Sequence, residues 1–369
     1  MSLNHTLTSR RCRIAIFLPS LRGGGAERVM VQLANGFARK GHSVDLLLAQ
    51  AEGRYRDEVS GEVDIIDLSS KRVSSALRPL ANYLRTKRPD ALLTAMAHAN
   101  LVAIVAHKMA RSRARLVISE RNSLARLSGA SGVAFRCIMR ALYPFADRVV
   151  CVSEGIADEL KHEAAVPSRL LRAIPNPVDT ADIAGKAQDR PNHPWFEGGA
   201  APVIVAVGRL ETQKDYPTLI AAFNEVRSRR SVRLIILGEG SLRERLQTDI
   251  NRRGLTASVS LAGFQANPFG WMAAARLYVM SSLYEGFPNS LVQAMACNTQ
   301  VVSTDCPTGP SQILEGGKWG TLAPVGCAPA LARAIESALD RQDSPDVRRR
   351  AADYAIDGIV MQYLDELVG

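Results

Sequence analysis

The chain has little with which to cross-link itself, hold a metal or cross a bilayer. Its six cysteines (Cys12, Cys137, Cys151, Cys297, Cys306, Cys327) include no CxxC and show no ligand-like spacing with the six histidines. They are expected as buried or idle thiols in a reducing, cytoplasmic setting. No apolar run approaches the ~18–20 residues that span a membrane. Arg10, Arg11 and Arg13 before IAIFLP superficially resemble a signal peptide. The apolar part is short and enters a glycine-rich turn, so it reads as the first strand. Aromatic residues are only 5%, and no RNA-binding or helix-turn-helix signature accompanies them, which disfavours nucleic acid as a partner. There is no GxGxxG fingerprint, which argues against a nicotinamide dehydrogenase. There is no Asp-x-Asp either.

With 369 residues, 47% hydrophobic and 22% charged, the chain is long enough for two globular domains. The net charge of +10 is uneven: residues 1–180 hold 27 Lys and Arg against 16 Asp and Glu, a net of +11, while residues 181–369 hold 19 against 20, a net of −1. A basic first half attracts nucleic acid, anionic lipid or a phosphorylated substrate.

Strand and helix signals alternate throughout. Arg13–Pro19, a turn at Gly23, Gly24 and Gly25, a helix from about Ala26 to Lys40 and a strand at Val44–Ala49 form a βαβ unit. Strands are predicted at 63–66, 91–95, 115–119 and 148–152, with helices near 73–88, 99–110, 133–143 and 154–163. IPNPVD (174–179) is a turn-rich exit, and DRPNHPWFEGGAAP (189–202) reads as a linker. Strands then restart at 203–207, 232–237, 259–262, 277–280, 301–304 and 321–323, with helices at 216–229 and 242–253. Such alternation implies parallel sheets covered on both faces, with ligands at the carboxyl ends of the strands. The fold class is therefore α/β, with two Rossmann-like doubly wound domains facing across a cleft. The expected boundaries are 1–180 for a first Rossmann-like domain, 181–201 for a linker, 202–344 for a second, and 345–369 for a helical tail packing back toward the first.

The stretch LYEGFPNSLVQAMA (283–296) carries the strongest chemical signal. Glu285, Gly286 and Phe287 form a turn after a strand, and Pro288 and Asn289 open a helix. The backbone N–H groups of Asn289, Ser290 and Leu291 are expected to face outward and attract phosphate. Glu285 would repel phosphate and suits sugar hydroxyls instead. In GRLETQKDYPTLIAAF (208–223), Gly208 and Arg209 end a strand and Lys214 precedes a helix. A guanidinium fork beside an ammonium is the pairing expected for a diphosphate. Together these groups point to a nucleotide sugar.

GRLxxxKDYxxLIxAF, LGEG, VxLAGF, EGFPNSLVxAMA and VVSTDCPTGP, with GGGAERV and IPNPVD before them, resemble in order and spacing family 4 of the retaining glycosyltransferases, which have the GT-B fold. The resemblance covers nearly the whole chain and is nearest to bacterial enzymes that extend lipid-linked or surface polysaccharides. It implies that Arg209 and Lys214 hold the donor diphosphate, and that Asn289, Ser290 and Leu291 give amides to the distal phosphate. Glu285, first acid of the family's E-x7-E pattern, would contact the transferred sugar. Gly24 and Gly25 would close over the phosphates or acceptor, and Gly263 and Phe264 would flank the base.

Two departures stand out. The second acid of E-x7-E, which binds the nucleotide ribose in the family, is Gln293 here; a neutral amide lacks charge-assisted hydrogen bonding. The family's first-domain histidine is missing from ISERNSLARL (118–127), which offers Glu120, Arg121 and Asn122, with His98 as a substitute at a helix start. The expectation is a metal- and cofactor-independent retaining hexosyltransferase. It would use a UDP-sugar in preference to a GDP-sugar, and would act on a lipid-linked or polysaccharide acceptor at the inner membrane surface. The alternatives are a sugar-nucleotide epimerase and a catalytically silent binding subunit.

Overall fold

The computed structural model describes residues 10–22, 24–124, 129–197, 201–343 and 345–369. The chain divides into two units, Met1–Pro177 with Ile356–Gly369, and Val178–Ala355. In the first unit lie β1 (Arg13–Leu18), β2 (Ser43–Leu48), β3 (Val63–Asp67), β4 (Ala91–Ala95), β5 (Arg115–Glu120), β6 (Arg148–Cys151) and β7 (Leu171–Ala173). They form one parallel sheet in the order β3-β2-β1-β4-β5-β6-β7. Every residue of β4, and all of β1 and β2 but the first, is buried, because helices cover both faces of a parallel sheet.

The second unit repeats the scheme with β8 (Val203–Val207), β9 (Arg233–Leu237), β10 (Val259–Gly263), β11 (Leu277–Met280), β12 (Val301–Thr304) and β13 (Thr321–Ala323). Their order is β10-β9-β8-β11-β12-β13, again parallel. In each sheet the order reverses once, at β1/β4 and at β8/β11. The loops leaving neighbouring strands diverge there and open a crevice.

Most strands expected from apolar runs are present within a residue or two. The three-residue β7 carries Arg172 in its middle and has no apolar run to announce it. The helix expected over 73–88 is a 3₁₀ turn, Val73–Ala76, followed by an α-helix, Leu77–Lys87. The stretch expected as a linker, 181–201, falls within the second unit. It shares a helix, Thr180–Lys186, whose Asp179 cap accepts from the Asp182 N–H at 2.9 Å. Trp195 and Phe196 pack against Val203, Val205, Ile235, Leu237 and Trp271. Aromatics beside Pro and Gly read as loop in sequence, yet here they cover one face of the sheet.

The tail is two helices. Val347–Ala352 stays with the second unit, where the Val178 N–H donates to the Tyr354 carbonyl at 2.8 Å. Ile356–Val368 belongs to the first unit, and its Ile359, Val360, Tyr363, Leu364 and Leu367 join the core formed by β1, β2 and the helix Gly25–Arg39. A Cβ on Gly36 would lie 2.4 Å from Val360 Cγ2, so the two helices meet where a side chain is missing. Overpacking of that kind costs about 1–3 kcal/mol. Gly36→Val should therefore lower unfolding free energy by about that amount in a urea titration, whereas Gly61→Val, with nothing within 4 Å, should change it by less than about 0.5 kcal/mol.

Candidate functional site

At the switch point of the second sheet, the loop after β8 and the loop after β11 are joined by side chains. Lys214 Nζ lies 2.5 Å from Glu285 Oε1, and Ser282 Oγ donates to the same oxygen at 2.6 Å. Gln213 Nε2 donates to the Tyr284 carbonyl at 2.9 Å and to Glu285 Oε2 at 3.3 Å. Thr308 Oγ1 donates to the Glu285 carbonyl. Glu285 is only 6% exposed, so its charge is out of water and needs these partners. Lys214 has three donors and presents one of them here.

Glycines let the backbones come this close. A Cβ on Gly208 would meet Lys214 Cε at 2.9 Å, and one on Gly309, at φ +114°, would meet Pro288 Cδ at 2.5 Å. Farther along the same edge, the Gly238 N–H donates to the Gly263 carbonyl at 2.8 Å. A Cβ on Gly263 would lie 2.9 Å from Glu239 Oε1. Phe264 follows with 64% of its surface exposed. Arg209 is exposed at the end of β8 and makes no ion pair within 4.0 Å among the described residues.

The helix Asn289–Ala296 begins with a tight turn that consumes amides. The Asn289 N–H donates to the Phe287 carbonyl at 2.9 Å, and the Leu291 N–H donates to the Pro288 carbonyl at 3.0 Å. Of the three outward amides expected, those of Asn289 and Leu291 are thus engaged, which leaves the Ser290 N–H. Pro288, at φ −79° and ψ 76°, is the centre of an inverse γ-turn, which carries the Asn289 N–H onto the Phe287 carbonyl. Ser290 Oγ in turn accepts from the Tyr278 hydroxyl at 2.7 Å. Phe287 is buried and its ring centroid lies 5.6 Å from that of Tyr354, so it fixes the turn from below. Gly286 lies within the same turn. Gln293 is half-buried about one turn along the helix.

In the first unit, Gly24 caps the helix Gly25–Arg39 after β1; Gly23 lies outside the described residues. Arg121, expected to touch substrate, is a tie instead. It is buried, and it donates to Ser119 Oγ at 3.2 Å, to Tyr363 Oη at 3.5 Å and to Asn176 Oδ1. A buried guanidinium needs oxygens on most of its N–H groups, and these three lie on β5, the chain exit and the helix Ile356–Val368. His98 is exposed, its ring centroid 5.5 Å from that of Phe135.

Sequence reasoning underrated Glu120. It ends β5 at 3% exposure, where Asn100 Nδ2 donates to Oε1 at 2.6 Å and the Tyr143 hydroxyl donates to the same oxygen. Burial pushes its carboxyl up to about 7, against the pull of Tyr143, Asn100 and Arg121. An acid closing an apolar strand was the available signal. Among the described residues no group of three or more His, Cys, Asp and Glu could hold a metal ion, and no helix is long and apolar enough to cross a membrane.

Two family descriptions match the chain, Glycosyltransferase Family 4 over residues 23–182 and Glycosyl transferases group 1 over residues 201–341. The N-acetylgalactosamine-N,N'-diacetylbacillosaminyl-diphospho-undecaprenol 4-alpha-N-acetylgalactosaminyltransferase of Campylobacter jejuni is 27% identical over 346 residues, 89% of this chain and 90% of that one. The lipopolysaccharide core biosynthesis glycosyltransferase LpsE of Rhizobium meliloti is 27% identical over 352 residues, 94% of each chain. The crystal structure of Anabaena Alr3699/HepE in complex with UDP-glucose has a TM-score of 0.80 at 21% identity, covering 97% of this chain and 99% of that one. The likeness is one of fold: two Rossmann-like domains, the GT-B architecture.

Removing one partner of a buried pair strands the other charge, at about 3–5 kcal/mol. Lys214→Met should lower unfolding free energy by roughly 3 kcal/mol, and adding Glu285→Leu should recover most of that loss, as read by urea unfolding of the single and double variants. Glu120 sets a pH dependence. Its folded value of about 7 lies above its ordinary 4.5, so the folded chain holds a proton the unfolded chain has released between those pH values. The stability of the neutral acid is complete below pH ~4.5 and is lost as pH rises through about 7. Glu120→Gln, neutral throughout, should gain about 3 kcal/mol on the wild type between pH 4.5 and 8 in paired melts.

Proposed function

Because the chain belongs to glycosyltransferase family 4 and is a glycosyltransferase of bacterial glycan biosynthesis, we propose that it transfers a sugar with retention from a UDP-sugar to a hydroxyl of a lipid-linked saccharide. The observation that carries this reading is the Lys214–Glu285 pair, set where β8 and β11 diverge. A ligand there meets a cation and an acid side by side. Lys214 and the exposed Arg209 take the diphosphate, with the Ser290 N–H and the positive end of its helix behind them. Glu285 accepts from hydroxyls of the transferred sugar. Phe264 offers an exposed ring to the base.

In the proposed step, the bond from the anomeric carbon to the diphosphate oxygen breaks, and the acceptor oxygen bonds that carbon on the same face. The acceptor proton passes to the departing phosphate oxygen. Arg209 and Lys214 stabilise the charge that gathers on the leaving group, which is where fixed cations lower a barrier most. The choice of uridine is supported by HepE, which is of similar fold and was crystallised with UDP and with UDP-glucose. The lipid-linked acceptor is supported by two Campylobacter jejuni relatives that act on undecaprenol-linked saccharides by name.

Contact with an anionic membrane belongs to the same reading. The helix Gly129–Leu142 buries only Gly132 and Met139 among its residues and leaves Val133 and Ile138 at 54% and 43% exposure, with Arg140 exposed beside them. Nearby, Lys108 Nζ sits 4.1 Å over the exposed Phe145 ring. Arg88, Arg111 and Arg113 line a separate basic pocket. Arg115 and Arg136 have other partners, the Gly369 carbonyl at 2.7 Å and Glu163 at 3.7 Å. Each free basic residue near an anionic leaflet is worth about 1 kcal/mol.

Purified protein with UDP- and GDP-sugars and an undecaprenyl-diphosphate saccharide should release nucleotide and extend the acceptor. Failure with every donor in a folded sample would overturn the reading. Arg209→Ala and Lys214→Ala should each lower kcat at least ~100-fold. Gln293→Glu should tighten UDP by about tenfold, as a charge-assisted bond replaces a neutral one; activity appearing only in that variant would favour the silent-subunit alternative. Val133→Asp with Ile138→Asp should abolish co-flotation with vesicles containing phosphatidylglycerol while leaving UDP binding unchanged.

A further inference from the structure

The strand β11 lies inside the second sheet, between β8 and β12, and all four of its residues are buried. Three are apolar and the fourth is Tyr278, which has no exposed surface. A phenol hydroxyl taken wholly out of water costs free energy unless it is hydrogen-bonded, and phenylalanine would fill the same space without that cost. The Tyr278 hydroxyl has one hydrogen bond among the described residues, to Ser290 Oγ at 2.7 Å. A phenol is more acidic than an aliphatic alcohol, so the tyrosine is the donor. Burial pushes the Tyr278 hydroxyl up, and Glu285 nearby adds to it, so the group keeps its proton and stays a donor.

Ser290 is half-buried, the second residue of the helix Asn289–Ala296. Its oxygen accepts from Tyr278, and its own hydroxyl hydrogen has no acceptor among the described residues. A hydroxyl that accepts one bond is polarised by it and becomes a stronger donor in turn. Tyr216 is the contrasting case. It is 2% exposed, and an atom at the Cβ position of Gly208 would lie 3.0 Å from its hydroxyl, yet that hydroxyl has no partner. Glu285 acts on both phenols, but of the two only Tyr278 is joined to a half-exposed group.

We propose that Tyr278 is a positioning residue for sugar transfer: by donating to Ser290 Oγ it holds the serine hydroxyl with its hydrogen toward the donor diphosphate, where that hydroxyl and the Ser290 N–H bind oxygens of the phosphate next to the sugar. This inference rests on the glycosyl-transfer reading and adds a neutral donor to the two cations assigned there. No proton changes hands, since both hydroxyls keep theirs. The bond from Ser290 strengthens as negative charge gathers on the departing diphosphate.

The test is a double-mutant cycle read by calorimetry on the whole chain. It compares the tighter of UDP and GDP with the matching nucleoside, which carries no phosphate. Ser290→Ala should weaken the nucleoside diphosphate about tenfold, and Tyr278→Phe about three- to fivefold. Nucleoside affinity should change less than about twofold in either. In the Ser290→Ala background, Tyr278→Phe should cost nothing further, because no hydroxyl is left to position. Tyr216→Phe removes an equally buried hydroxyl and should leave both affinities unchanged. Wild-type affinity for the diphosphate in Tyr278→Phe, an equal loss for the nucleoside, an equal loss in Tyr216→Phe, or the same loss with and without the Ser290 hydroxyl overturns the proposal. A wild type that binds neither nucleoside diphosphate sinks the transfer reading and this inference together. One that binds either of them and is indifferent to Tyr278→Phe sinks this inference alone.

Discussion

The ion pair between Lys214 and Glu285 organises the second unit. Both groups are largely out of water, and neither is tolerable there alone. Their attraction pulls the loop after β8 onto the loop after β11 at the point where the sheet order reverses. Around it, several side chains serve the same two loops: Ser282 and Gln213 on the carboxyl group, Thr308 on the Glu285 backbone, and Ser281 Oγ on the Lys214 carbonyl at 2.7 Å. The glycines at 208 and 309 are the steric condition for that closeness. These bonds tie the two loops together within the protein itself, with no ligand needed to join them.

The first unit solves the opposite electrostatic problem. Its buried acid has a cation beside it in sequence, Arg121, but that cation is turned to Ser119, Asn176 and Tyr363. Glu120 is therefore stabilised by hydrogen bonds and not by an ion pair, and it titrates far above an ordinary carboxyl. In the second unit the acid lies against a lysine; in the first, burial pushes the carboxyl up.

Much of this was legible from residue patterns. Apolar runs between turn signals located nearly all the strands, and EGFPN followed by a helical face located the turn between β11 and the helix Asn289–Ala296. What escaped was set by contacts distant in sequence. The strand β7 is too short to have periodicity, and it exists because β6 offers it a parallel edge. The aromatic patch at Trp195 and Phe196 looks like loop until Trp271 is brought beside it. Arg121 resembled a ligand contact because its carbonyl partners and hydroxyl partners come from Asn176 and Tyr363, 55 and 242 residues away. The use of the Asn289 and Leu291 amides follows from the geometry of the turn at Pro288, which composition does not disclose.

The helix Ile356–Val368 completes a core that begins with β1, although the whole second unit intervenes in the chain. During synthesis, which proceeds at about 5–20 residues per second, the first sheet must therefore wait on the ribosome with the groove beside Gly36 uncovered. Val29, Leu33 and Phe37 face that period without their final cover. The second unit, continuous in sequence, draws on no segment outside 178–355 to close its core.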